Sequence, residues 1–164
     1  MMQTYSFEQQ FQPPTQMAPD SYLGKIISLL QGIARHEMTG VCMYTYFQLL
    51  ISGINKPQIS EVFEKSAAES LAHYSQAVQF MLLYGGRSYI PCSCDPIVYL
   101  NDPQTSISEA IRAAINHEKT AVESYRKLFS VTSGKETELT NWAQTQAQAE
   151  LEDLLEFQQI LGVV

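Results

Sequence analysis

The chain has 164 residues, 45% of them hydrophobic and 16% charged, which suits one domain with ample core material. Its net charge of −7 and pI near 4.9 speak against a nucleic-acid footprint or an anionic-membrane binder, whereas acidic surfaces or cavities attract metal cations. No stretch reaches the ~18 uninterrupted apolar residues of a membrane span.

Residues 1–20 read as a polar tail in which Pro13, Pro14 and Pro19 break any helix. The tail lacks an apolar run, so it is not expected to be a signal peptide. Asp20-Ser21 is a candidate N-cap. A first helix is predicted over 21–53, with Leu23, Leu30, Glu37, Tyr44 and Ile51 at seven-residue intervals. A second is predicted over 58–84, with Val62, Glu69, His73, Phe80 and Leu83 on one face and Gly85-Gly86 as its stop. Residues 87–104 carry Pro91, Pro96 and Pro103 and suit a long crossover down the side of a bundle. A third helix is predicted over 105–131, with Ile111, Glu118 and Tyr125 in one row, and a fourth over 136–161, with Ala143, Glu150 and Phe157 in one row and Gly162 as its end. The fold class is therefore all-α: an antiparallel four-helix bundle over 21–164, with one long crossover between the second and third helices.

The three cysteines, Cys42, Cys92 and Cys94, make no disulfide framework. Cys92 and Cys94 would suit the start of a soft-metal site, but no second Cys or His pair follows at zinc spacing, and a plain loop is the simpler account. Reduced cysteines point to a cytoplasmic protein.

A nine-residue pattern occurs twice: His36-Glu37-x-Thr39-x-Val41-x-x-Tyr44 and His117-Glu118-x-Thr120-x-Val122-x-x-Tyr125. Glu69 follows Glu37 at the interval by which Glu150 follows Glu118. Two helical hairpins with one Glu per helix, packed face to face, bring four carboxylates into one bundle. A soluble protein buries four carboxylates only if something cationic neutralises them. A pair of metal ions answers that need, and carboxylates with few imidazoles suit iron or manganese better than thiolate-preferring metals. His73 shares a face with Glu69 and is a candidate ligand. His36 and His117 point away from the glutamate row and read as interface residues. Tyr44 and Tyr125 read as core fillers whose hydroxyls hydrogen-bond a ligand.

Over about residues 21–161 the sequence resembles the ferritin-like di-iron carboxylate family, ferritins and bacterioferritins in particular. The resemblance rests on Glu37 with Tyr44, on F-x-x-x-A-x-E-x-x-x-H over 63–73 followed by Gly85-Gly86-Arg87, and on Glu118 and Glu150 with Asp153. It implies Glu37, Glu69, His73, Glu118 and Glu150 as metal ligands and as the catalytic set, with Asp153 at the place of an expected imidazole. Glu69 and Glu150 would bridge the metals, and Glu37 and Glu118 would be terminal. Two iron ions per subunit are implied, with manganese or zinc as alternatives. No Met neighbours Glu69, so no haem is expected. Two departures stand out: Glu69 precedes His73 by four residues instead of three, and position 70 is Ser.

The implied activity is a ferroxidase, Fe(II) oxidation by O2 or peroxide with iron storage. Alternatives are a di-iron peroxidase or oxygenase of the rubrerythrin type, or a non-catalytic helical assembly protein. A DNA-protecting mini-ferritin is disfavoured by the acidic balance and by the lack of its His-rich first-helix motif. Apolar residues off the carboxylate row, Met38, Met43, Tyr46 and Leu50 on the first helix and Leu71, Tyr74, Val78 and Leu82 on the second, imply a homo-oligomer, a dimer at least.

Overall fold

The computed structural model of the protein describes residues 20–52, 57–87 and 106–163. Four helices account for nearly all of them: α1 Tyr22–Ser52, α2 Pro57–Leu83, α3 Ser106–Thr132 and α4 Thr137–Val163. The tail over 1–19 and the cysteines Cys92 and Cys94 lie outside the described residues.

Local chemistry explains the helix ends. Ser21 Oγ accepts the Gly24 N–H at 3.0 Å, capping α1. Pro57 opens α2, where its missing N–H costs no intrahelical bond. At the other end of α2, Gly86 N–H reaches Met81 O at 2.9 Å and Gly85 N–H reaches Leu82 O at 3.0 Å. This paired closure needs a left-handed residue, and Gly85 supplies it with φ 77°. Gly86 is needed for a different reason: a Cβ there would stand 2.7 Å from Met81 Cγ and 3.0 Å from Ile27 Cγ2. Gly162, read as a stop, instead stays within α4. It does not take the left-handed conformation that makes glycine a terminator, since the positive-φ glycines among the described residues are Gly85 and Gly134.

Contacts between helices give their directions. Phe47 meets Phe63 and Glu37 meets His73, so α1 and α2 are antiparallel. Tyr125 reaches Glu37 and Tyr44 reaches Glu118, so α1 and α3 are antiparallel. Thr140 bonds Thr132 and Trp142 packs on Tyr125, so α3 and α4 are antiparallel. It follows that α2 and α3 run the same way, and the end of one and the start of the other lie at opposite ends of the bundle. The expected crossover falls on residues 88–105, which lie outside the described ones.

The interior is layered. One apolar cluster holds Ile26, Leu30, Ile33, Met81, Leu128 and Leu139. The other holds Tyr44, Phe47, Ile51, Phe63, Ile111 and Phe157, with stacked and tilted rings 5.4–5.9 Å apart. Between them sits a polar layer of Glu37, Glu118 and Glu150, all buried. Met43, placed off the carboxylate row by its register, is buried in the second cluster; the first-helix stripe is wide enough to include it. Among the described residues, no helix is long and apolar enough to cross a membrane.

Candidate metal centre

Each helix brings a different group to the polar layer. Glu37 on α1, Glu118 on α3 and Glu150 on α4 are 1%, 2% and 4% exposed. From α2 comes His73, whose Nδ1 lies 2.7 Å from Glu150 Oε1 and 3.9 Å from Glu37 Oε1. Glu37, His73 and Glu150 each offer a donor atom, all within 4.8 Å of one another.

The repeated motif takes on a physical meaning here. Seven residues separate the Glu from the Tyr in each copy, about 10 Å along a helix. Because α1 and α3 are antiparallel, each tyrosine lands opposite the other copy's glutamate. Tyr125 Oη donates to Glu37 Oε1 at 2.8 Å, and Tyr44 Oη donates to Glu118 Oε1. Burial first, then the carboxylates around them, pushes both phenols above their ordinary range, so both stay donors. Ser70 adds a second hydrogen bond to Glu37.

The histidines of the motif form the α1–α3 contact beside this layer. The His36 and His117 rings stack at 3.8 Å. His36 Nε2 lies 3.0 Å from the His117 carbonyl, which can only accept, so that nitrogen carries the proton. Burial pushes both imidazoles down, His117 to about 3. His117 Nε2 is buried without a hydrogen-bond partner and points at Gly40, where a Cβ would stand 2.6 Å from it and 2.7 Å from Ser70 Oγ. Gly40 is thus the residue that lets both side chains reach α1.

Glu69 lies elsewhere. On α2 the buried positions are Ser60, Phe63, Ser66, Ser70, Ala77 and Met81, so Ser70, not Glu69, takes the inward place beside His73. The Glu69 side chain is 39% exposed at the rim, 3.6 Å from Lys65 Nζ. The same ammonium lies 3.2 Å from Asp153 Oδ1 and 3.7 Å from Glu156 Oε2. The sequence reading gave no role to Lys65 or Ser70. The Lys65–Glu69 spacing was a legible signal for an ion pair, but the reach of Lys65 to α4 was not.

The electrostatics of the layer are those of a site short of positive charge. Burial raises the carboxyls of Glu37 and Glu150 above the usual carboxylate range. Glu118 is pushed up to about 10, by burial first and then by its hydrogen bond to Glu150 and that residue's charge. When both carboxyls are ionised, Glu118 Oε2 and Glu150 Oε1 are left buried without a hydrogen-bond partner, as is Glu69 Oε2. The His73 contact to Glu150 Oε1 becomes a hydrogen bond only when Nδ1 carries the proton. Three carboxyls cannot all ionise so close together without a cation, and orphaned carboxylate oxygens beside an imidazole are the donors a divalent ion takes. The residues present therefore fit a metal ion.

Comparison with known proteins agrees with the architecture. The family model of the ferritin-like domain matches residues 27–164. No curated protein sequence matches the chain. Among solved structures, a Rhodobacter capsulatus bacterioferritin described with a metal-free dinuclear site and a haem iron is 16% identical, with a TM-score of 0.75 over 85% of this chain and 84% of that one. A ferritin-like, diiron-carboxylate protein from Bacillus anthracis is 18% identical, with a TM-score of 0.75 over 88% of this chain and 99% of that one. At these identities the likeness to the structures is one of fold. The family match spans all four helices and the whole polar layer, and the chain belongs to the ferritin-like domain family.

Proposed function

We propose that this protein binds iron in the polar layer of its bundle and oxidises Fe(II) to Fe(III), with O2 or peroxide as the electron acceptor. The observation that carries this reading is the buried trio Glu37, His73 and Glu150, whose donor atoms all lie within 4.8 Å of one another. Iron is the substrate, and the chemistry it supplies is the loss of one electron per ion. Glu37, His73 and Glu150 bind it, and Glu118, Glu69 and Asp153 supply the remaining carboxylates. Tyr125 and Tyr44 fix the carboxylates of Glu37 and Glu118 by hydrogen bonds. The apolar clusters on either side keep bulk water from the layer, which strengthens every charge interaction within it. Binding expels the protons held by the raised carboxyls.

Anaerobic addition of Fe(II) followed by a count of bound iron per chain tests the proposal, with O2 or peroxide admitted afterwards and ferric absorbance followed. Bound iron that oxidises faster than free Fe(II) supports it. Near-zero binding refutes it and leaves a non-catalytic assembly protein. Solution mass then separates storage from redox enzymology, because a mineral needs a cage and a peroxidase or oxygenase of the rubrerythrin type does not.

A further inference from the structure

The seams between neighbouring helices are not equally tight. The backbones of α2 and α4 approach each other least closely, so side chains bridge that seam. On the Leu30 side of the polar layer, Gln76 Oε1 of α2 accepts Trp142 Nε1–H at 2.7 Å and Gln146 Nε2–H at 3.3 Å, both from α4. On the Phe63 side, Lys65 Nζ of α2 donates to Asp153 Oδ1 of α4 at 3.2 Å and lies 3.7 Å from Glu156 Oε2. Between these bridges, His73 of α2 meets Glu150 of α4 at 2.7 Å. Lys65 also holds Glu69 at 3.6 Å. Glu69 stands four residues before His73, and Asp153 three after Glu150, each about one helical turn along the same side. Lys65 therefore straps the seam one turn from the trio. The trio is most open to solvent at His73, whose side chain is 12% exposed against 2% for Glu37 and 6% for Glu150. The opposite seam, between α1 and α3, is filled by the His36–His117 stack.

We propose that metal ions enter and leave the trio Glu37, His73 and Glu150 through the α2–α4 seam, and that Lys65 is the latch of this doorway. Its ammonium closes the seam over both the empty and the filled site, and opens it by releasing Asp153 and Glu156. Lys65 is suited to this. Its side chain is 53% exposed, and ion pairs of so exposed a group are individually weak because water competes for it. The flexible stem lets the ammonium swing out while both helices stay in place. The carboxylates it releases then line the mouth and attract an incoming cation. The apolar clusters on either side of the layer leave no polar path along the bundle axis. The inference rests on the proposed metal-binding function and adds the control of passage to that site. A latch that closes over both states slows passage in both directions and leaves affinity unchanged. A lysine acting by charge repulsion or by competing with the ion would change affinity instead.

Stopped-flow mixing of the apo protein with Co(II), followed anaerobically by its visible absorbance, tests this without reference to activity. Displacement of bound Co(II) by excess Zn(II) gives the rate of exit. Lys65→Met keeps the aliphatic stem and removes the strap. It should raise entry and exit rates alike by about tenfold, the scale of a few weak ion pairs acting together, and leave Kd within about twofold. Lys65→Gln should do the same, whereas Lys65→Arg keeps a cation across the seam and should keep both rates within about twofold of wild type. His36→Ala, which loosens the opposite seam, should change neither rate. Unchanged rates in Lys65→Met and Lys65→Gln, a change in affinity with an unchanged exit rate, or acceleration by His36→Ala instead overturns the inference and leaves the metal-binding function standing. No binding of Co(II) or Zn(II) by the wild type overturns both.

Discussion

Replacing Glu118 by Gln should stabilise the metal-free protein, by an amount that grows with pH. The amide is nearly isosteric with the protonated acid: its oxygen still accepts from Tyr44, and its nitrogen donates to Glu150 where the carboxyl did. What it removes is the titration. In the unfolded chain this carboxyl ionises near 4.5, and in the folded protein it is pushed up to about 10. The folded state therefore binds the extra proton throughout that window, and stability falls as pH rises through it. The stabilising contribution is complete below the unfolded value and is lost progressively toward the folded one. Each pH unit in the window is worth about 1.4 kcal/mol, so by about pH 7 the wild type has given up about 3 kcal/mol that Glu118→Gln retains. For a domain of this size that is a Tm difference of about 6–12 °C. Thermal unfolding followed by circular dichroism, in chelator across a pH series, measures it. The two proteins should melt together near the unfolded carboxyl's pKa and diverge above it. Parallel Tm curves over the whole series would refute the picture of Glu118 as a desolvated, proton-holding carboxyl.

Three further outcomes are expected. His73→Ala should weaken the tightest metal ion about tenfold or more, whereas His36→Ala should leave metal affinity within about twofold, because His36 touches the His117 ring and carbonyl and no carboxylate; calorimetry with Zn(II) ranks them, and the reverse order would overturn the assignment. Gly40→Ala should cost about 1–3 kcal/mol in chemical denaturation by overpacking, since His117 is stacked on His36 and cannot readily yield to the new methyl group; an unchanged midpoint would show that the α1–α3 contact is looser than drawn. Light scattering at micromolar concentration should give at least a dimer, because Leu49 on α1 and Leu71 and Leu82 on α2 leave large apolar side chains exposed; an 18.5 kDa species would exclude it.

Much of this architecture was legible in the chain because helical periodicity is a physical requirement of burial. The heptad rows through Glu37, Glu118 and Glu150 mark the faces that are buried, and the predicted helix ends fall within a residue or two of the observed ones. The reciprocal tyrosine bonds follow from the repeat once α1 and α3 are known to be antiparallel, a fact that only the tertiary structure supplies. Position 69 shows where periodicity stops. At about 100° per residue, Glu69 and Ser70 lie about 40° and 60° to either side of His73. Both share its face, and nothing local decides which turns inward. Packing against α1 decides it: Ser70 fills the place beside Gly40 and Glu37, and Glu69 is left on the α4 side, where Lys65 and Asp153 meet it. Gly162 was misread for a related reason, since a glycine marks a helix end only where the backbone turns left-handed.

The displacement of Glu69 also bears on what the polar layer costs the folded chain when no metal is bound. A fully symmetric layer would bury a fourth carboxylate between the two apolar clusters, with no protein cation in reach, and each such group adds a desolvation cost of several kcal/mol unless it holds a proton. With serine at the inward position, the α2 contribution there is a neutral hydroxyl that donates a hydrogen bond to Glu37. The fourth carboxylate sits at the rim, where water and Lys65 solvate it. The asymmetry thus lowers the cost of burying the layer when no metal is bound. Restoring an inward acid by Ser70→Glu tests this directly: the apo protein should lose stability as pH rises above about 5, while Zn(II) binding at Glu37, His73 and Glu150 tightens. If the variant's apo stability is independent of pH, the inward position is more solvated than the burial of Ser70 implies, and the link between the two effects fails.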